Sequence, residues 1–113
     1  MSRRGEAAEN LAAVFLEGRG LKILERNYRC RFGEIDLVAA SGATLVFVEV
    51  RARESEAYGG AAGSITAAKR RRLVAAARHY LAHRRANHAC RVDVVLVRGR
   101  GMEIEWLTDA FGE

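Results

Sequence analysis

Apolar and polar positions follow two periods along this chain, and the switches between the periods mark its elements. From Gly5 to Glu17 the apolar residues Ala8, Leu11, Ala12, Phe15 and Leu16 recur at helical spacing, and Gly18 and Gly20 end the pattern. Leu21 to Tyr28 reads as a short strand. Gly33 to Ala40 and Thr44 to Arg53 read as two strands joined at Ser41-Gly42, a hairpin, and the run Leu45-Val46-Phe47-Val48 is apolar enough for a central strand. A glycine-rich loop, Tyr58 to Gly63, precedes a second helix that Ser64 or Thr66 can cap and that runs to about Arg85. Val92 to Val97 is a β-branched strand, and Met102 to Leu107 is a last one. The order α-β-β-β-α-β-β predicts an α/β fold, a mixed β-sheet flanked by helices. With 113 residues, 50% of them hydrophobic, a single domain spanning residues 1–113 is expected.

Three charge placements inside these elements work against simple folding. In a strand, alternate side chains share a face, so Glu34 and Asp36 lie on one face of the first hairpin strand and Glu49 and Arg51 on one face of the second. A turn pairing Ala40 with Ala43 or Leu45 puts both sets on the same side of the sheet. Asp36 then stands opposite or diagonal to Glu49, and the two carboxylates repel unless a cation or a proton lies between them. Either a metal ion resolves this, or Arg51 or Arg53 pairs with the acids at the sheet edge. The third placement is Lys69, which a helical wheel sets within about 40° of Leu73 and about 20° of Ala76 and Tyr80, inside the apolar stripe. Its ammonium either snorkels to solvent or reaches an acidic cluster on the sheet. On the first helix Glu9 borders the apolar arc and can face the sheet, whereas Glu6 and Glu17 are on the polar side.

Charge narrows the class of partner. The net charge is +5, and between Lys69 and Arg100 ten basic residues face one acid, Asp93. Because 17 of the 19 basic residues are Arg, this is compatible both with a genomic preference for Arg and with a phosphate-binding face. Arg53, Arg70, Arg71, Arg72, Arg78 and Arg85 are the candidates for that face, and nucleic acid, DNA before RNA, is the expected partner. A homodimer is a further candidate assembly. No apolar run approaches the ~20 residues of a membrane span, and the first ten residues lack the apolar core of a signal peptide, so a cytoplasmic protein without membrane contact is expected. Cys30 and Cys90, without a CxxC partner, read as buried thiols in a reducing compartment. His79 and His83 stand at i, i+4, with His88 and Cys90 after them, a set able to offer nitrogen and sulfur to zinc but without a structural-zinc spacing. Neither GxxxxGK[ST] nor GxGxxG occurs, which removes support for an NTP-driven function.

The run Gly33-Glu34-Ile35-Asp36-Leu37-Val38, followed by Val46-Phe47-Val48-Glu49-Val50-Arg51-Ala52-Arg53, resembles the YraN-type uncharacterised bacterial family, numbered 0102 among uncharacterised protein families. Glu9, Arg26-Asn27-Tyr28-Arg29, the glycine-rich loop, Lys69 with Arg72-Leu73, and Arg91-Val92-Asp93-Val94-Val95 extend the likeness over nearly the whole chain. The family is similar to the restriction-endonuclease-like superfamily, whose PD-(D/E)xK signature is an Asp on one strand and E-x-K on the next. Within it the likeness is to archaeal Holliday-junction resolvases, which add a Glu from the first helix. This resemblance implies Asp36 and Glu49 as metal ligands, Glu9 as a further ligand or water-orienting carboxylate, and the Val50 carbonyl as a backbone donor. The implied cofactor is Mg²⁺ or Mn²⁺, and the implied catalytic set is Asp36, Glu49, Arg51, Lys69 and Glu9. Arg51 departs from the signature lysine: a guanidinium can stabilise charge but cannot take a proton from water. Either Lys69 supplies the ammonium, or the site holds metal and nucleic acid without cutting. The expectation is therefore a metal-dependent endonuclease acting on branched or structured DNA. The alternatives are a non-catalytic nucleic-acid-binding protein and an adaptor whose Arg-rich helix binds an acidic protein.

Overall fold

A computed structural model describes residues 3–53, 66–84, 89–99 and 103–110. Among them are helix α1 (Arg3–Gly18), strands β1 (Lys22–Cys30), β2 (Gly33–Ser41) and β3 (Thr44–Arg53), helix α2 (Ala67–His83), and strands β4 (Cys90–Arg98) and β5 (Glu103–Leu107). The five strands form one sheet in the order β1-β2-β3-β4-β5. Neighbours are antiparallel except β3 and β4, which run parallel because α2 carries the chain back across the sheet between them. This is a mixed α/β fold compatible with a restriction-endonuclease-like architecture.

The helices cover opposite faces of the sheet. One apolar cluster joins Ala8, Ala12, Ala13 and Leu16 of α1 to Leu37, Ala39, Val46, Val48, Val95 and Val97. A second joins Leu73, Ala76, Ala77 and Tyr80 of α2 to Tyr28, Ile35, Val38, Leu45, Phe47 and Val92, and a small third holds Val94 and Leu96 of β4 with Leu107. Central strands covered on both sides read as continuous apolar runs, which is why Leu45–Val48 and Val94–Val97 lack polar alternation. Edge strand β1 alternates instead, and a register shift between Ile23 and Glu25 interrupts its ladder.

The buried arc of α1 is turned from the one its sequence suggests. Leu11 is 39% exposed, whereas Ala13 is fully buried. Small alanines let the helix sit close to the sheet, and close approach favours Ala13 over the bulkier Leu11. The consequence is that Glu9 lies among the buried residues, between Ala8 and Ala12, at 7% exposure. The hairpin turn is Gly42-Ala43 rather than Ser41-Gly42: Ser41 pairs with Thr44, and Gly42 takes the positive φ (58°) that a two-residue turn needs. Ala40 pairs with Leu45, one of the two registers anticipated.

Asp93 on β4 is wholly buried and fully engaged. Its carboxylate accepts from Arg91 Nε (3.0 and 3.2 Å), Trp106 Nε1 (2.9 Å) and the Asp109 backbone N–H (2.8 Å). These bonds tie β5 and the turn after it to the sheet centre, a structural use of the charge. The thiols depart from the buried state expected of them. Cys30 is half-buried and Cys90 exposed, because each stands at the terminus of a strand, beyond the helices' cover.

Candidate active site

The β2–β3 ladder ends at Leu37 and Val48. Beyond it the Asp36 carboxylate takes over the role of a backbone acceptor, receiving the Val50 N–H through Oδ2 at 2.8 Å. Irregularities surround this point. Ile35 and Val38 both pack on the α2 side although alternation assigns them opposite faces, and Asn27 in β1 adopts a left-handed conformation with φ 53°. Asn is among the few residues that tolerate that region. Glu9 hydrogen-bonds with Asn27 and Asp36.

Asp36, Glu49, Val50, Arg51, Lys69 and Arg72 line one cavity of about 350 Å³, together with Gly33, Glu34 and Leu73. Glu49 is 5% exposed. Lys69 Nζ lies 3.0 Å and Arg51 Nη1 3.5 Å from its Oε2. Lys69 therefore extends from the apolar stripe of α2 onto an acid of the sheet, and Arg51, the pairing weighed against a metal, meets the same carboxylate. Thr66 caps the helix, its hydroxyl accepting the Lys69 backbone N–H at 3.1 Å; Ser64 lies outside the described residues. No acid occupies the first turn of α2, so Lys69 and Arg70 to Arg72 add to the positive end of the helix dipole instead of neutralising it. Cations there cost helix stability, and they concentrate positive potential at the cavity mouth.

The acids modify one another's protonation. Burial, then the charge of Glu49, pushes the Asp36 carboxyl up to about 7, against the stabilising Val50 N–H. Burial also raises Glu9, an effect opposed by its bonds to Asn27 and Asp36. The folded state thus holds a proton on Asp36 between about pH 4 and pH 7 that the unfolded chain releases. Unfolding free energy should then fall with rising pH across that window, by at most about 1.4 kcal/mol per pH unit from this group, and stay flat above it. Asp36→Asn keeps an acceptor for Val50 and removes the titration. In thermal melts with chelator, the variant should gain on the wild type from pH 5 to pH 8; an equal difference at both values would show that Asp36 is ionised throughout.

The donors suit a hard cation. Of the three carboxylates lining the cavity, Asp36 and Glu49, with Glu9 bonded to Asp36 and a neighbouring backbone carbonyl, make an all-oxygen set. Among the described residues no three Asp, Glu, His or Cys side chains are grouped as a metal site, so an ion held here would take much of its shell from water. In the histidine alternative one ring nitrogen is already engaged. His79 Nδ1 is 2.5 Å from the Tyr28 hydroxyl, and His88 lies outside the described residues.

The remaining basic candidates divide by location. Arg72 borders the acids, and Arg70 and Arg71 are exposed. Arg78 lines a different, more apolar cavity with Phe47, Leu81 and Cys90. Arg85 lies outside the described residues, as do the Arg53 side chain and the glycine-rich loop. Asn27 had no role assigned from the sequence. An Asn inside a strand pattern and its place in the family-like Arg26-Asn27-Tyr28-Arg29 are the cues, and its partner Glu9 is 18 positions away.

A family model described as uncharacterised protein family UPF0102 matches residues 8–97. The chain belongs to that family. The matched span begins just before Glu9 and ends at Val97, within β4, so it contains every residue of the acidic cavity. A UPF0102 protein of Nitrosomonas europaea is 56% identical over 111 residues, 97% of this chain and 94% of the relative. UPF0102 proteins of Ralstonia nicotianae (55% over 113 residues, 96% and 85%) and Methylococcus capsulatus (53% over 108 residues, 94% and 88%) are similar over comparable lengths. No helix among the described residues is long and apolar enough to cross a membrane.

Proposed function

We propose that this protein is a divalent-metal-dependent endonuclease that hydrolyses phosphodiester bonds in branched or otherwise structured DNA. The observation that carries the proposal is the meeting, in one cavity, of Asp36 and the buried Glu49 with Lys69 and Arg51 at 3.0 and 3.5 Å. Asp36, Glu49 and the Val50 carbonyl would hold Mg²⁺ or Mn²⁺, with Glu9 orienting Asp36 or a water. When bound, the ion would supply a Lewis acid for the phosphoryl oxygen and lower the pKa of an attacking water.

The chain's own cations complete the chemistry. Lys69 and Arg51 stand where charge accumulates as phosphorus gains a fifth oxygen, and a preorganised cation there lowers the barrier more than it strengthens ground-state binding. Arg72 and the exposed Arg70 and Arg71 attract the flanking phosphates. Positive charge at the start of α2 opposes helix formation, and such a conflict between local stability and fold is characteristic of functional surfaces. The proposal extends the superfamily likeness with archaeal resolvases to this chain, with Lys69 taking the part of the signature lysine that Arg51 replaces.

Purified protein should cut flapped or four-way DNA with Mg²⁺ or Mn²⁺, whereas Ca²⁺ should allow binding with little cleavage. Absence of metal-dependent cleavage on single-stranded, duplex, flapped and four-way substrates, with salt-dependent binding retained, would leave a nucleic-acid-binding protein that keeps the fold.

A further inference from the structure

The row of side chains that leaves the acidic cavity along α2 continues past Arg72. Ala76, His79 and His83 follow at helical spacing on the same side of the helix. The β1–β2 turn faces them, and at its tip stands Phe32, 41% exposed and outside all three core clusters. Its ring centroid is 5.8 Å from that of His79, and the His79 and His83 rings are stacked 5.8 Å apart with planes 12° from parallel. The half-buried His79 is anchored from below by the Tyr28 hydroxyl at 2.5 Å. The Arg31 guanidinium lies 4.9 Å from the centre of the Phe32 ring.

Phe32 and His83, the two exposed rings of this row, lie outside the core clusters, and only His79 between them is tied to the core through Tyr28, so folding alone does not account for the row. Its chemistry suits one partner. A cation beside a tier of aromatic faces attracts phosphate and stacks bases, the combination by which single strands are held. A duplex offers phosphate but hides its base faces, and an acidic peptide offers charge without rings. The shelf is also joined to the cavity. At Gly33, next to Phe32, the positive φ of 153° excludes most side chains, and an added Cβ would lie 3.3 Å from the Arg72 carbonyl, so the turn is pressed against α2 at the cavity's rim. Seven residues of helix, about 10 Å, separate Arg72 from His79. That is roughly three nucleotides at the spacing of a stacked strand.

We infer that Phe32, His79 and His83 form a stacking shelf for unpaired bases, so that the nucleic acid is single-stranded for a few nucleotides beside the phosphate presented to the acidic cavity. The role of the cavity in this inference rests on the proposed nuclease function; the shelf does not.

The test is binding in EDTA to a short single-stranded DNA, the RNA of the same sequence and a blunt duplex. Phe32→Ala should weaken single-strand affinity roughly tenfold, as loss of one stacked base does. Duplex affinity should stay within about twofold, and the dependence on salt should be unchanged because no phosphate contact is lost. Phe32→Trp should restore affinity, and its indole emission should be quenched by the oligonucleotide beyond any change at Trp106 in the wild type. Equal losses on DNA and RNA would identify the base face as the shared contact, and a loss on one alone would name the nucleic acid while retaining the shelf. Unchanged single-strand affinity in Phe32→Ala, an equal loss on duplex, or an unquenched Phe32→Trp would overturn the inference. So would polyglutamate competing as well as an unlabelled oligonucleotide of equal charge, since charge alone would then be read. With the metal removed, none of these readouts depends on cleavage. An inactive protein can still show the shelf, and an active one can still lack it.

Discussion

Glu49→Gln is expected to stop turnover, lowering cleavage by at least about 10³-fold, while the protein stays folded. The amide preserves the shape of a side chain that is only 5% exposed, so no cavity opens and core packing is retained. It removes the charge that a hard cation requires. Two effects on apo stability oppose each other: loss of attraction to Lys69 and Arg51, and relief of repulsion with Asp36. Both cations are partly exposed, so solvent screens the attraction, whereas the repulsion acts between acids set deeper in the cavity. The melting temperature in EDTA should therefore hold or rise. Mn²⁺ should raise the wild-type melting temperature, because a ligand of the folded state alone stabilises it, and should leave Glu49→Gln unmoved. A variant that still responds to Mn²⁺ would exclude Glu49 as a ligand, and one that still cuts would end the catalytic assignment.

Lys69→Met should lower the cleavage rate by about 10²-fold or more with only a small loss of DNA affinity. The ammonium is the nearer of the two cations to Glu49, at 3.0 Å, and Met keeps most of the aliphatic stem. A cation that acts mainly as charge develops in the reaction affects turnover far more than binding. A uniform loss of affinity with unchanged turnover would make Lys69 a phosphate anchor, and no effect would leave Arg51 as the cation that matters. Arg51→Lys, which returns the signature residue, should preserve activity or raise it. A large loss there would mean that the guanidinium's planar, two-pronged geometry is required.

The element order was legible because hydrophobic period depends on which surface each element buries, and the run Leu45–Val48 announces a strand covered on both sides. Glu49 was legible for the same reason: a carboxylate ending such a run is costly unless partnered. Lys69 was marked by falling inside the apolar stripe of α2. The buried arc of α1 was only partly legible, since Ala13 and Leu11 both fit an apolar arc and only contact with the sheet chooses between them. The burial of the thiols was misjudged because cysteine is usually internal, whereas exposure at Cys90 depends on where the covering helix ends.

The sequence by itself determined the order of the strands and helices and the chemical character of each acid and base, because hydrophobic period and side-chain chemistry are local properties. It also brought Asp36 and Glu49 together, through a short turn whose register admits few alternatives. Tertiary structure alone decided that Glu9 reaches Asp36 across the end of the sheet, that Asn27 turns out of its strand to meet it, and that Lys69 and Arg51 converge on one oxygen. It likewise decided the protonation of Asp36, pushed up to about 7. Desolvation and Coulomb interaction depend on which atoms surround a charge in space, and those surrounding Asp36 come from α1 and β3, segments distant in the chain that only folding assembles.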